Sequence, residues 1–308
     1  MIYSDFDVLV PIKGNCEYLE QTLQSILNST ILPKQVILVD DGIEPKVLAL
    51  IQNFSKLLPI VFVKNMGNGV VDACNTGIQL STSKYIARLD SDDLAMPIRF
   101  ERQIDKLEEC SNFAVVGSRV YYINDQSKIT GVSNHPIGII NRLKAFNNRC
   151  LLAQPSVMIR RSKLNEVGNY KRFFQFSNFD IAEDFLLWLR ISKVGDLFNF
   201  EEPLTKYRQH EAQVSKVNLV AVEIITQLIA VSKVHSSSEF PIVNVSSCEE
   251  TMIYLNKLKN LAFPKSLYLR YLAKILCLQL SSHNFGFMPR FAILTLKIFR
   301  KIDGYRFG

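Results

Sequence analysis

Four short apolar runs, at residues 6–12, 35–39, 60–63 and 85–89, alternate with stretches of helical periodicity, and two of the four end abruptly in carboxylates. Between the first two runs, apolar residues recur at Leu19, Leu23, Ile26 and Leu27, and residues 70–80 offer a second helix. Repeated strand–helix–strand units imply a largely parallel sheet, whose ligands bind at the carboxyl ends of its strands. Asp40-Asp41-Gly42 closes the second run and Asp90-Ser91-Asp92-Asp93 the fourth. The expected class is therefore α/β, with two acid clusters where a ligand would sit.

The middle of the chain is less regular, with strands expected at 114–122 and 156–159. A helix over 182–192 opens on Glu183 and Asp184 and continues through Phe185, Leu186, Leu187, Trp188, Leu189 and Ile191. It is apolar on nearly every face, which predicts burial. After Tyr207-Arg208-Gln209-His210 long helical stretches take over, broken by a Ser/Pro-rich loop at 236–241. The boundary falls near 216, giving a catalytic region 1–215 and a mainly helical region 216–308.

Charge sharpens that division. The 308 residues carry a net +7, yet residues 256–308 hold ten Lys/Arg against one acid, Asp303, leaving 26 basic and 28 acidic residues in the first 255. The positive excess thus belongs to the tail, where Leu, Ile, Phe and Tyr interleave with the cations and suit an anionic surface. The six cysteines show no C-x-x-C pair and no zinc spacing, and read as reduced core thiols of a cytosolic protein. No basic segment precedes the first apolar run, so no secretory signal is expected. No apolar stretch reaches the ~20 residues of a spanning helix.

Each acid cluster has alternative readings. Asp40-Asp41-Gly42 could be a plain strand-to-loop turn; an ATPase-type strand is excluded because no G-x-x-x-x-G-K-[ST] exists. Gly67-Asn68-Gly69 fails as a dinucleotide fingerprint because Asp72 stands at its last position. Three carboxylates within residues 90–93 repel one another unless a cation lies among them or solvent screens them. An EF-hand fails at Ala95 and Pro97, whereas Mg²⁺ or Mn²⁺ held by one or two carboxylates and a substrate phosphate fits. Glu183 and Asp184 could merely complement a helix dipole, by ~0.3–1 kcal/mol.

The order of these elements resembles the family 2 glycosyltransferases of the GT-A nucleotide-diphospho-sugar transferase fold. The series runs from Val8-Leu9-Val10-Pro11-Ile12 through Val39-Asp40-Asp41-Gly42, Asn75-Thr76-Gly77-Ile78 and Tyr85-Ile86-Ala87-Arg88-Leu89-Asp90-Ser91-Asp92-Asp93. It ends with Gln154-Pro155-Ser156, the Glu183-Asp184 helix and Tyr207-Arg208-Gln209-His210. The resemblance covers about residues 5–215 and implies a Rossmann-like, mixed, mostly parallel sheet flanked by helices, with a helical C-terminal extension. It implies that Pro11 and Asp40 line the nucleobase and ribose pocket with Asp41 close by, and that Asn75 is among the nucleotide-binding positions. Asp90 and Asp92 look like the family's D-x-D element, the first near the ribose and the second on a bridging metal that His210 joins in some relatives. Asp184 is similar to the catalytic base, with Glu183 the runner-up, and Arg208 lies where a cation could meet the leaving diphosphate. Cys74 departs from the basic residue the family often has there, and Ile43 from its serine.

The function so implied is inverting transfer of a sugar, by family frequency from a UDP-sugar, with Mn²⁺ or Mg²⁺. The acceptor expected is a polyprenyl-diphosphate-linked saccharide of O-antigen, capsule or exopolysaccharide assembly. Residues 256–308 would hold the protein peripherally at the cytoplasmic membrane face. A nucleotidyltransferase is the nearer alternative. A nucleic-acid binder is the remoter one, because the first 255 residues are net negative, and no nucleic-acid partner is expected.

Overall fold

Strand β1 (Tyr3–Gly14) is the apolar centre on which the sheet is built: Phe6, Val8, Leu9, Val10 and Ile12 are all buried, as a strand covered on both faces requires. The computed structural model describes residues 3–140, 151–172, 180 and 182–209. The chain divides into two units, Met1–Lys171 with Glu183–His210, and Arg172–Ala182 with Glu211–Gly308. In the second, Arg172 donates to Asp180 at 2.7 Å. The boundary expected near 216, the helical region beyond it and the basic segment from 256 lie outside the described residues.

In the first unit the elements run β1, α1 (Leu19–Leu27), β2 (Leu32–Ile43), α2 (Lys46–Phe54), β3 (Ile60–Lys64), α3 (Val70–Leu80) and β4 (Tyr85–Arg88). There follow β5 (Leu94–Ala95), α4 (Arg99–Glu109), β6 (Phe113–Ile123), β7 (Ile129–Val132), β8 (Gly138–Ile140), β9 (Met158–Arg160), α5 (Arg161–Glu166), α6 (Glu183–Ile191) and β10 (Asp196–Arg208). The sheet order is β3-β2-β1-β4-β9-β6-β10-β5, with β7 on β6 and β8 on β10. The pairs among β3, β2, β1 and β4 are parallel, as is β6 with β10; β9 joins the two groups antiparallel to both its neighbours. This is the expected mixed, mostly parallel α/β sheet.

Helices pack because their apolar residues fall on one face. Leu19, Leu23 and Ile26 put α1 into the core. Helix α3 lies so close to the sheet that a methyl group at Gly77 would collide with the Leu9 side chain, which is why glycine stands there. Helix α6 is buried through Phe185, Leu186, Leu187, Trp188, Leu189 and Ile191, as its composition predicts. One expectation is corrected: of the described cysteines only Cys74 is a core thiol. Cys16 is half-buried and Cys110 exposed, because Cys110 follows α4 as its extended C-cap.

Candidate active site

In the order β3-β2-β1-β4 the chain builds outward from β1 in both directions, so the crevice beyond the carboxyl ends of β1 and β4 is a topological switch point. Both acid clusters border it. Pro11 pairs with Val39 and Ile12 with Asp40 across β1 and β2, while Leu9 faces Arg88 on β4. The Leu89 N–H reaches the Leu9 carbonyl at 3.2 Å, and Asp90 follows directly.

Asp40 turns the chain as well as edging the crevice. Its Oδ1 accepts the N–H groups of Gly42 and Ile43, both at 2.8 Å, while Lys64 Nζ donates to Oδ2 at 3.2 Å. Gly42 takes φ +100°, which a side chain would resist. Burial opposes the Asp40 charge, but the Ile43 and Gly42 donors and Lys64 outweigh it and hold the carboxyl below its usual range. Asp41 is treated alike: burial raises it, and Lys13 at 2.9 Å, Asn65 at 2.7 Å and the Gly69 N–H at 3.0 Å bring it lower. Both are ionised anchors between the ends of β1, β2 and β3.

The acid loop 90–93 rests on buried guanidinium groups that sequence reasoning passes over. Arg88, 1 % exposed, donates Nη2 to Asp90 Oδ1 at 2.7 Å and Nη1 to the carbonyls of Leu9 and Leu89. Arg99, equally buried, donates to the Arg88 carbonyl at 2.7 Å and the Val157 carbonyl at 3.2 Å. Desolvation, then the Arg88 charge, brings the Arg99 guanidinium down to about 9. Asp93 is wholly buried, and burial followed by the charges of Asp92 and Asp90 pushes its carboxyl well above the ordinary range. Asp90 and Asp92, both partly exposed, are the pair that remains at the rim.

Glu183 and Asp184 open α6, entered through Ala182 at the left-handed φ of 55°. Glu183 is buried, and Asp184 is half-buried with Oδ1 accepting the Phe185 N–H at 2.6 Å. Burial, with the Asp90 charge adding to it, pushes the Asp184 carboxyl up to about 6. The same field reaches Cys74: burial chiefly lifts its thiol to about 12, with Arg88 opposing and Glu183 and Asp90 assisting. The acids at 90 and 184, far apart in sequence, thus act on each other.

Two sequence-expected contacts are engaged within the protein. Asn75 bridges the Tyr170 backbone, donating to its carbonyl at 3.1 Å and accepting its N–H at 3.0 Å. Arg208 is fully buried, with its guanidinium bonded to protein acceptors. His210 lies outside the described residues. Among the described residues no three His, Cys, Asp or Glu side chains gather into a metal cluster. Two rim carboxylates are nevertheless an all-oxygen donor set that fits Mg²⁺ or Mn²⁺, cations that keep positions for water and phosphate.

An α/β sheet with carboxylates around a switch-point crevice suits a ligand that brings a divalent cation with it. The chain belongs to glycosyl transferase family 2, whose model matches residues 7–168. It is 32 % identical over 223 residues to the amylovoran biosynthesis glycosyltransferase AmsE of Erwinia amylovora, covering 68 % of this chain and 79 % of that one. It is 30 % identical over 210 residues to an uncharacterized glycosyltransferase of Haemophilus influenzae, covering 65 % of this chain and 64 % of the relative.

Solved structures share the fold. S. aureus TarS 1-349 in complex with UDP-GlcNAc superposes with a TM-score of 0.57 at 15 % identity, over 86 % of this chain and 76 % of that one. Mannosyltransferase PcManGT from Pyrobaculum calidifontis, in complex with GDP-Man and Mn²⁺, gives 0.54 at 13 % identity, over 98 % and 81 %. The protein is a glycosyltransferase of GT-A fold.

Proposed function

We propose that the protein moves a glycosyl unit from a nucleoside-diphosphate sugar, a UDP-sugar by preference, to a saccharide hydroxyl with inversion at the anomeric carbon. What supports this reading is that the two acid segments lie within electrostatic range of each other, the Asp90 charge adding to the burial that lifts the Asp184 carboxyl. Asp184 takes the proton of the acceptor hydroxyl as it attacks, and a carboxyl near 6 is largely ionised at neutral pH and still basic enough to accept it. Glu183 is the runner-up. Asp92, with Asp90 beside it and His210 as a further ligand, would hold a divalent cation. Bound there, the cation supplies Lewis-acid stabilisation of the departing diphosphate. Pro11, Asp40 and Asp41 edge the nucleoside side of the crevice; Asn75 supports that side through Tyr170.

Incubation with UDP-, GDP- and dTDP-sugars and Mn²⁺ is expected to release free nucleoside diphosphate, with EDTA abolishing turnover and Mn²⁺ restoring it. Pyrophosphate release would replace this reading with nucleotidyl transfer, and EDTA-resistant turnover would remove the cation from it.

For the acceptor we propose a polyprenyl-diphosphate-linked saccharide of surface polysaccharide assembly, supported by the relative named for amylovoran biosynthesis. No helix among the described residues is long and apolar enough to cross a membrane. Peripheral attachment at the cytoplasmic face through the basic residues 256–308 is the matching proposal, each cation adding about 1 kcal/mol near anionic headgroups. The full chain is expected to sediment with phosphatidylglycerol vesicles at low salt, and a chain ending at 255 to stay in solution; equal sedimentation would refute the attachment.

A further inference from the structure

Arg208 stands at the last position of β10, next to the acid loop, and its contacts are unusual in number. All five guanidinium N–H groups have an acceptor: Nε donates to the Asp92 carbonyl at 3.0 Å, Nη1 to the carbonyls of Asn124 at 2.8 Å and Asp125 at 3.2 Å. Nη2 donates to Gln21 Oε1 at 2.9 Å and Ser127 Oγ at 3.1 Å. The Arg208 backbone N–H donates to Asp93 Oδ1 at 2.8 Å, and the Tyr18 ring lies 4.0 Å from the guanidinium carbon. The residue is 0 % exposed.

We infer that Arg208 is a positioning residue, which clamps the acid loop to α1 and the β6–β7 turn and so holds Asp92 in the orientation a divalent cation needs. This rests on the reading of Asp90 and Asp92 as the cation's ligands. A phosphate contact would require guanidinium N–H groups directed into the crevice, whereas here the fork is closed on the protein. Through one residue the loop is gripped twice, at the Asp92 carbonyl and at the Asp93 side chain. The neighbouring Asp90 and Asp92 carboxylates repel one another and would otherwise move apart, and the same residue fixes the buried Asp93 side chain beside them. Orienting groups of this kind commonly change metal affinity by about 10–100-fold when lost.

Binding of UDP or GDP, whichever the unmodified full-length protein takes more tightly, is measured by calorimetry in EDTA and in Mn²⁺. For Arg208→Gln, affinity in EDTA is expected to stay within about twofold while the enhancement by Mn²⁺ falls about 10–100-fold, with Arg208→Lys recovering part of it. Thermal unfolding of the same samples identifies a variant that does not fold. For that case the double variant Gln21→Ala/Ser127→Ala, which removes only the Nη2 acceptors, is expected to lose about three- to tenfold of the Mn²⁺ enhancement. Equal losses in EDTA and Mn²⁺ by folded Arg208→Gln would overturn positioning in favour of direct diphosphate contact, and an unchanged enhancement would overturn it outright. An unmodified protein with no Mn²⁺ enhancement would instead overturn the cation reading beneath it.

Discussion

Asp184→Asn is expected to lower kcat/KM by about 10²–10⁴-fold while raising the thermal midpoint, because the group proposed as base is ionised against its surroundings. Burial and Asp90 lift the carboxyl to about 6 in the folded protein, above the ~3.9 of an unfolded chain. The folded state therefore binds the proton more tightly, and keeping Asp184 ionised costs stability on the order of 2 kcal/mol at neutral pH. That cost is absent below about pH 4, grows between about 4 and 6, and is complete above. Asparagine removes it and can still accept the Phe185 N–H. Scanning calorimetry should thus show the variant gaining stability at pH 7.5 and none at pH 4. In the parent enzyme kcat/KM should fall with unit slope below about pH 6. A flat profile down to pH 5, or near-normal turnover by the variant, would remove Asp184 from the role of base.

Arg88→Met should be among the most destabilising single changes in the chain. The Arg88–Asp90 pair joins a guanidinium with 2 % side-chain exposure to a carboxylate with 33 %. Methionine fills much of the volume but supplies no donor, so the carbonyls of Leu9 and Leu89 lose a partner and Asp90 loses its counter-charge. Breaking such a site costs about 3 kcal/mol, toward the low end for buried pairs because Asp90 retains solvent. For a unit of this size that lowers the thermal midpoint by roughly 6–12 °C. Arg88→Lys keeps the charge without the fork and should recover only part. An unshifted midpoint at neutral pH would show that the guanidinium does not hold the loop.

What could be read in the sequence follows from how local each signal is. Helix α3 matches residues 70–80 because its periodicity and the glycines before it lie in one window, and β4 is legible from its apolar run and the acids that end it. Helix α4 was within reach, with Phe100, Ile104 and Leu107 at helical spacing, but its many charges hide the stripe. Strand β10 is obscured because Glu201-Glu202-Pro203 interrupts it, at the place where its register with β6 shifts between Phe200 and Thr205. The burial of the arginines was not legible: the family pattern marks Arg208 as a cation for the diphosphate, not as a residue closed on the protein. An isolated arginine reads as surface, and only the fold brings Arg208 to Gln21, 187 residues away in sequence. The acids of the site declare themselves because they occur in pairs and clusters, while the cations that hold them occur singly.

Arg208 also has a place in time. The Asp93 side chain waits 115 residues of synthesis for the backbone N–H that secures it. At about 5–20 residues per second, ribosomes take roughly 6–23 seconds to cover that interval. During it the nascent chain can pair β1, β2, β3 and β4, yet its acid loop has no clamp. On the positioning role proposed for Arg208, competence to bind the cation arrives late in translation, and a chain truncated before β10 carries the acid loop without its clamp.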